Sequence, residues 1–398
     1  LAMLAGFVIL IIESGTSTIS ELVAAPPTGT TTTVALVLVF AGAFAKSAPF
    51  PFHFWLPRAM AAPTPASAYL HSATMVKAGI VLLLFLAPGF ASTSVWAWTV
   101  TSVGLVTMAI GALTALRQRD MKLLLAHGTV SQLGFMTALI GLGHTAAALA
   151  VLVGHSAFKA ALFLVTGIVD KKAGTRDLDA LSGLRRSLPV TAAAGAVAAL
   201  SMAGVPPLLG FVTKEAAVDT LVAESDWVAL AVIALASVAT VAYSARWWFG
   251  AFGGASDPTQ RLRPHAAMEA PAVVLGLVTI GLGLFPSELK TVIADATGQS
   301  IKLVLWPGIG TPLLISIGIL LVGAGLYVAL DRMPDGLPRL PRAVPSGQSI
   351  YEGSVKVLNR TADTVTGLVQ SGSLPVYLAV IVTSVISIPA LTWAFNWD

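Results

Sequence analysis

The chain has 398 residues, of which 56% are hydrophobic and only 11% charged, with a formal net charge of +4. A soluble domain carries about a quarter charged residues, so a water-facing surface for a chain of this size is excluded. The absence of cysteine removes disulfides, thiolate metal sites, iron–sulfur clusters and cysteine nucleophiles together, and the small charge gives no reason to expect a nucleic-acid partner.

The apolar residues come in blocks of about 20, the length that crosses a bilayer as a helix. Most blocks lack the polar stripe of an amphipathic soluble helix. About eleven spans are expected, at roughly 1–12, 32–57, 64–86, 94–116, 122–142, 146–169, 189–222, 227–250, 269–286, 309–330 and 375–396. The first begins in mid-run at Leu1-Ala2-Met3 without the basic region or cleavage site of a signal peptide, which reads as a chain whose upstream spans are missing. The 189–222 run is too long for one straight span and contains Pro206-Pro207, so it must tilt, kink or break.

Basic residues set the expected orientation. Arg58, the Arg117-to-Lys122 group, Lys171, Lys172, Arg176, Arg185, Arg186, Arg246, Arg261, Arg263, Arg332, Arg339, Arg342, Lys356 and Arg360 fall at alternate ends of the spans. The other ends carry Lys290 and Lys302 beside Glu13, Glu21, Glu224 and Asp226. The rich side is expected to be cytoplasmic in a bacterial plasma membrane, with the C-terminus outside. Pro334 to Pro345 reads as an extended connector. After it, Tyr351, Val355, Leu358, Ala362, Val365 and Val369 recur at spacings of four and three, which predicts an amphipathic interfacial helix, either a tether or a partner contact. The expected division is a transmembrane core over 1–250, additional helices over 251–330, connector and amphipathic helix over 331–374, and a last span over 375–398.

Four lysines stand inside spans: Lys46, Lys77, Lys159 and Lys214. Each costs about 2.5–3.5 kcal/mol at a span centre by insertion scales. Snorkelling to the interface explains such a residue only near a helix end, which leaves that alternative, or a pairing with Glu215, for Lys214. His155 and Lys159 are four residues apart and so share a helical face; a proton could pass along it. Six residues separate His71 from Lys77, about 120° on one continuous helix, so they face different neighbours. His127, with Ser131 and Gln132, forms a narrow polar stripe that serves either a relay or interhelical hydrogen bonding. Two of the lysines lie beside helix breakers: Lys46 before Pro49 and Pro51, and Lys214 after Pro206 and Pro207. Paired, proline-interrupted spans in two halves of a chain point to a transport path built from repeats.

No phosphate-binding loop and no dinucleotide fingerprint is present. The carboxylates Glu13, Asp170, Glu215 and Asp219 lie at or near span ends, so no buried sodium site is visible. No cofactor and no metal site is expected.

The stretches Phe44-Ala45-Lys46-Ser47-Ala48-Pro49, Phe54-Trp55-Leu56-Pro57-Arg58-Ala59-Met60, Pro63 to Ala68 and His71 to Gly79 resemble the proton-translocating antiporter-like family. That family includes the large antiporter-like subunits of respiratory complex I and the A and D subunits of Mrp-type multisubunit Na⁺/H⁺ antiporters. The likeness continues through Ser131 to Gly134, His155 to Lys159 and Pro206 to Lys214, over essentially the whole chain. Lys77, the run Thr175 to Arg186 and Ser201 to Phe211 make it most similar to the Mrp A subunit.

The resemblance implies an all-α polytopic fold of inverted five-helix repeats, each with a broken helix. It implies that Lys46 and Lys214 are the central lysines of two half-channels, with His71, Lys77, His155 and Lys159 as the relay between them. The family's acidic partner for Lys46 has no counterpart in the chain. The partners implied are small membrane subunits and a homologous D subunit in the lipid bilayer, with Na⁺ and H⁺ as the ions moved. A redox-driven proton-pumping subunit of a complex I-like enzyme and a non-transporting scaffold are the alternatives.

Overall fold

In hydrocarbon an open chain can satisfy its backbone polar groups only within helices. The computed structural model, which describes residues 1–255, 262, 264–332, 347–370 and 372–395, is helical throughout, with no strand among the described residues. It is a polytopic all-α membrane protein. The chain divides into two compact units between Leu340 and Pro341.

The first unit opens with α1 (Ala2–Ser14), the short α2 (Ile19–Ala24) and α3 (Thr30–Ser47). Three short helical pieces follow, 52–54, α4 (Trp55–Arg58) and 59–61, and then α5 (Thr64–Ser72) and α6 (Ala78–Phe90). The centre comprises α7 (Ser94–Ala115), α8 (Met121–Gly141), α9 (Thr145–Ala173), α10 (Pro189–Ala203), α11 (Leu209–Ala223) and α12 (Trp227–Phe252). The unit ends with α13 (Ala266–Leu284), α14 (Ser287–Thr297) and α15 (Thr311–Asp331). Nine segments among the described residues are long and apolar enough to cross a membrane. With α1 and the α10–α11 pair they occupy the eleven spans expected from the sequence. The helix α14, with Leu289 and Ile293 buried, stands where no helix was expected.

The second unit holds α16 (Gly347–Val369) and α17 (Leu374–Phe395). The amphipathic pattern does form a helix, and within its unit Tyr351, Leu358 and Val365 are exposed. The proposed connector at 334–345 lies outside the described residues.

α8 is the centre of the first unit. Of its membrane-length window 89% is buried, against 11% for α15, which is why its sequence shows no one-sided pattern: it has no outer face. It packs on α7 through a seam of glycines. Gly104 and Gly111 on α7, and Gly134 and Gly141 on α8, are each seven residues apart. A Cβ at any of them would fall on the backbone of Ala138, Ser131, Met108 or Thr101 respectively. Without a hydrophobic force between helices in lipid, such close approach supplies the association through dispersion.

The loops form two polar layers. On one face Arg176 pairs with Asp120 at 3.1 Å and Asp170 at 3.5 Å, and Asp120 caps α8 by accepting from Lys122 N and Leu123 N. Arg246 donates to Leu116 O at the end of α7, and Arg185 to Phe252 O at the end of α12, so arginines meet the negative ends of helices that stop there. On the other face His144 meets Asp226 at 2.7 Å, Gln299 donates to Gly143 O, and Lys302 pairs with Asp219 at 3.5 Å.

The glycine seam makes a direct prediction. Gly134→Val should drive α7 and α8 apart and reduce the folded protein extracted from membranes several-fold, as read on a native gel. Unchanged recovery would show that the seam is dispensable.

Candidate functional site

Each place where a membrane helix breaks leaves carbonyls without intrahelical partners. At the second proline site α10 stops at Ala203, and Gly204 takes a left-handed φ of 88°. The chain resumes as α11 at Leu209, with Gly210 N bonded to Ser201 Oγ at 3.0 Å. The partly buried Lys214 turns back across the break and donates to Met202 O at 2.7 Å and Ala203 O at 3.4 Å. Its stem lies against Gly204, where a Cβ would stand 3.2 Å from Lys214 Cδ.

At the first proline site α3 stops at Ser47, and the open carbonyl of Ala45 is met by the Trp55 indole at 3.0 Å. Ser47 Oγ accepts from Ile80 N, and Thr107 Oγ1 from Phe50 N. Lys46 does not cap this break. It is exposed, has no hydrogen bond or ion pair among the described residues, and borders a groove of about 500 Å³ lined by Met3, Gly42, Ala43, Gly79 and Leu82. The expectation of a buried Lys46 is therefore corrected within this chain: the groove leaves its side open.

A third break was not expected. The 64–86 span is interrupted after Ser72, and the helix resumes at Ala78 after a short turn over 75–77. His71 and Lys77 do face different neighbours, but the 120° argument from one continuous helix does not apply. Buried Lys77 donates to Ser72 O, the carbonyl released by the break, and to Leu152 O at 3.2 Å and Ser156 Oγ on α9. Proline is absent here. The break is instead held by Ser72 and Thr74, whose hydroxyls bond back to the carbonyls of Ala68 and Tyr69 and so compete with the helix ladder.

Lys122, counted from sequence among the loop residues, is 1% exposed. Its ammonium donates to Met60 O at 2.8 Å and to Ala62 O, at the end of the pieces that follow the first break. It is thus another buried lysine, missed because its neighbours in sequence are loop arginines.

Along α9 these groups form a row. Fully buried His155 has Lys77 and Lys159 as its charged neighbours, and fully buried Lys159 has Lys214. Among the described residues neither ring nitrogen of His155 has a hydrogen-bond partner, and Lys159 donates to Met202 Sδ at 3.4 Å. His71 stands apart from this row, buried beside Trp55 and with Lys122 as its charged neighbour. His127 is partly buried and faces His53, whose ring stacks on Phe50 in the first break; His53 was not singled out from sequence. Glu215 was read as lying near a span end, yet it is 3% exposed. One of its oxygens accepts from Ser316 of α15 and the other has no partner among the described residues. The described residues hold no group of three or more metal-ligating side chains.

Residues 1–240 match the family model described as NADH:quinone oxidoreductase/Mrp antiporter, TM. The chain belongs to this family. It is 44% identical over 305 residues to a protein of Rhizobium meliloti described as the probable A/B subunit of a K⁺/H⁺ antiporter, covering 72% of the chain and 30% of that protein. It is 34% identical to the A subunit of the Na⁺/H⁺ antiporter of Alkalihalophilus pseudofirmus, covering all of the chain and 55% of that protein. Among solved structures, the Mrp complex from Dietzia sp. superposes with a TM-score of 0.84 at 32% identity, covering 99% of the chain and 45% of the matched one. The chain spans about half the length of these relatives or less, and the resemblance to the Mrp A subunit read from the motifs holds.

The capping role of Lys122 is testable. Lys122→Met would leave two buried carbonyls unpaired at about 1–3 kcal/mol each. It should lower the thermal midpoint of the detergent-solubilised protein measurably, while Lys290→Met, at an exposed position, should not. Equal midpoints would contradict the capping role.

Proposed function

We propose that the chain is a membrane subunit of a multisubunit antiporter that exchanges Na⁺ for H⁺, with its buried lysines and histidines as the proton relay. The observation that carries this is the row Lys77, His155, Lys159 and Lys214, held between two helix breaks in the core of a family member. Charged side chains at such depth are expensive and mark ion pathways. Protons would pass as each lysine changes between charged and neutral forms. Moving one charge against 100 mV costs about 2.3 kcal/mol, a step within the range of ordinary proton-affinity differences.

In this reading residues 1–250 carry the relay, 251–330 add supporting helices, 331–374 connect, and 375–398 anchor. Lys46 serves the first half-channel and Lys214 the second. His71, and His127 with the newly seen His53, flank the path. The arginine-rich face is cytoplasmic and the C-terminus lies outside. Partners are small membrane subunits, a homologous D subunit, which shares the fold, and the bilayer. Relatives named for K⁺ and for Na⁺ are both similar to the chain; sodium is proposed from the Na⁺/H⁺ antiporter relative that matches it over its full length.

The test is sodium-driven dissipation of ΔpH in inverted vesicles from an antiporter-deficient host expressing the full operon, with the full-length polypeptide. Lys159→Ala and Lys214→Ala should each abolish the sodium response while the complex still assembles. Transport that survives both substitutions would favour a scaffold. A wild type that ignores sodium but acidifies vesicles on NADH would favour the complex I-like reading.

A further inference from the structure

Lys159 sits at the middle of the 29-residue α9 and is fully buried. Among the described residues its ammonium has one hydrogen-bond acceptor, the thioether of Met202 at 3.4 Å, and a thioether is a weak one. Two side chains from other helices bring polar atoms to the same place. Tyr243 on α12 is 0% exposed and Gln132 on α8 is 1% exposed. The Tyr243 hydroxyl lies near both Thr240 on its own helix and Gln132 on α8, yet among the described residues neither that hydroxyl nor Gln132 Nε2 closes a hydrogen bond.

Gly128 shows how near these groups stand to Lys159. A Cβ on Gly128 would lie 3.0 Å from Lys159 Nζ and 3.2 Å from Tyr243 Oη. Gly128 and Gln132 are four residues apart on α8, hence on one face, a turn apart. Two helices therefore bring an amine and a hydroxyl against Gly128 of a third, with the Gln132 amide one turn along the same face. A buried polar atom without a partner costs about 1–3 kcal/mol. Phenylalanine at 243 would fill the same apolar space without that cost, so packing alone does not account for the hydroxyl. Buried polar groups unsatisfied by protein are where folded proteins hold water.

We infer that Tyr243, supported by Gln132, is a positioning residue for proton transfer at Lys159. Its hydroxyl, both donor and acceptor, holds a water against the lysine amine. The proton passes between Nζ and that water, the water passes one on to the next acceptor, and the tyrosine keeps its own. This rests on reading Lys159 as part of the relay. It adds α12 and α8 to a row otherwise built on the 75–77 turn, α9 and α11.

The experiment uses the full-length polypeptide in its complex, in the same vesicles, comparing Tyr243→Phe with wild type and Lys159→Ala. Tyr243→Phe should assemble and lower the maximal sodium-driven rate on the order of tenfold, below the full effect of a direct acid or base. The half-saturating sodium concentration should be unchanged, and the pH dependence of the rate should shift. A packing role would leave the pH dependence where it was. Wild-type rate and pH profile in Tyr243→Phe beside an inactive Lys159→Ala would overturn the inference and leave the relay standing. Wild-type transport in Lys159→Ala would overturn both. If Tyr243→Phe does not assemble, Gln132→Met, close in volume, carries the test: a slower maximal rate at unchanged half-saturation supports the inference, and wild-type behaviour defeats it.

Discussion

The carbonyl groups released where a helix breaks inside an apolar layer are the constraint on which this structure turns. Water cannot reach them from lipid, so the protein must supply donors. At two of the three breaks the donor is a lysine from across the gap: Lys77 on Ser72 O, and Lys214 on Met202 O and Ala203 O. Lys122 does the same for Met60 O and Ala62 O beyond the first break. The break and the lysine explain each other. An unpaired helix C-terminus carries partial negative charge that holds an ammonium, and an ammonium in hydrocarbon needs such a site.

This pairing gives the lysines one task the structure shows, as caps on the broken helices; the proposed relay adds a second to Lys77 and Lys214. The first task asks only for a donor, which the Trp55 indole provides at the first break. That Lys46 is free of this duty and borders an open groove sets it apart from the other three.

Much of this was legible in the sequence because the bilayer imposes simple lengths. Blocks of about 20 apolar residues gave the spans, and the prolines marked two of the breaks. The motifs around Lys46, His71 and Lys159 pointed to the family. The third break was not legible, because Ser72 and Thr74 do their work by back-bonding, which composition does not reveal. Lys122 read as a loop residue because burial at a helix start depends on what folds over it. Glu215 read as a span-end carboxylate because the cover it receives from Ser316 comes from a helix 101 residues further on.

The sequence by itself determined that the chain lives in a membrane, how many times it crosses, and which residue types carry charge there. Those follow from hydrocarbon thickness and the cost of burying charge, which act on each segment locally. Only the tertiary structure decided which charges meet. Lys77 joins α9 and not His71 because the helix breaks between them. Lys159 and Tyr243 both come up against Gly128 because a glycine there leaves room for them. Such meetings depend on helix rotation and approach, which are set by contacts far apart in the chain and leave no mark on local periodicity.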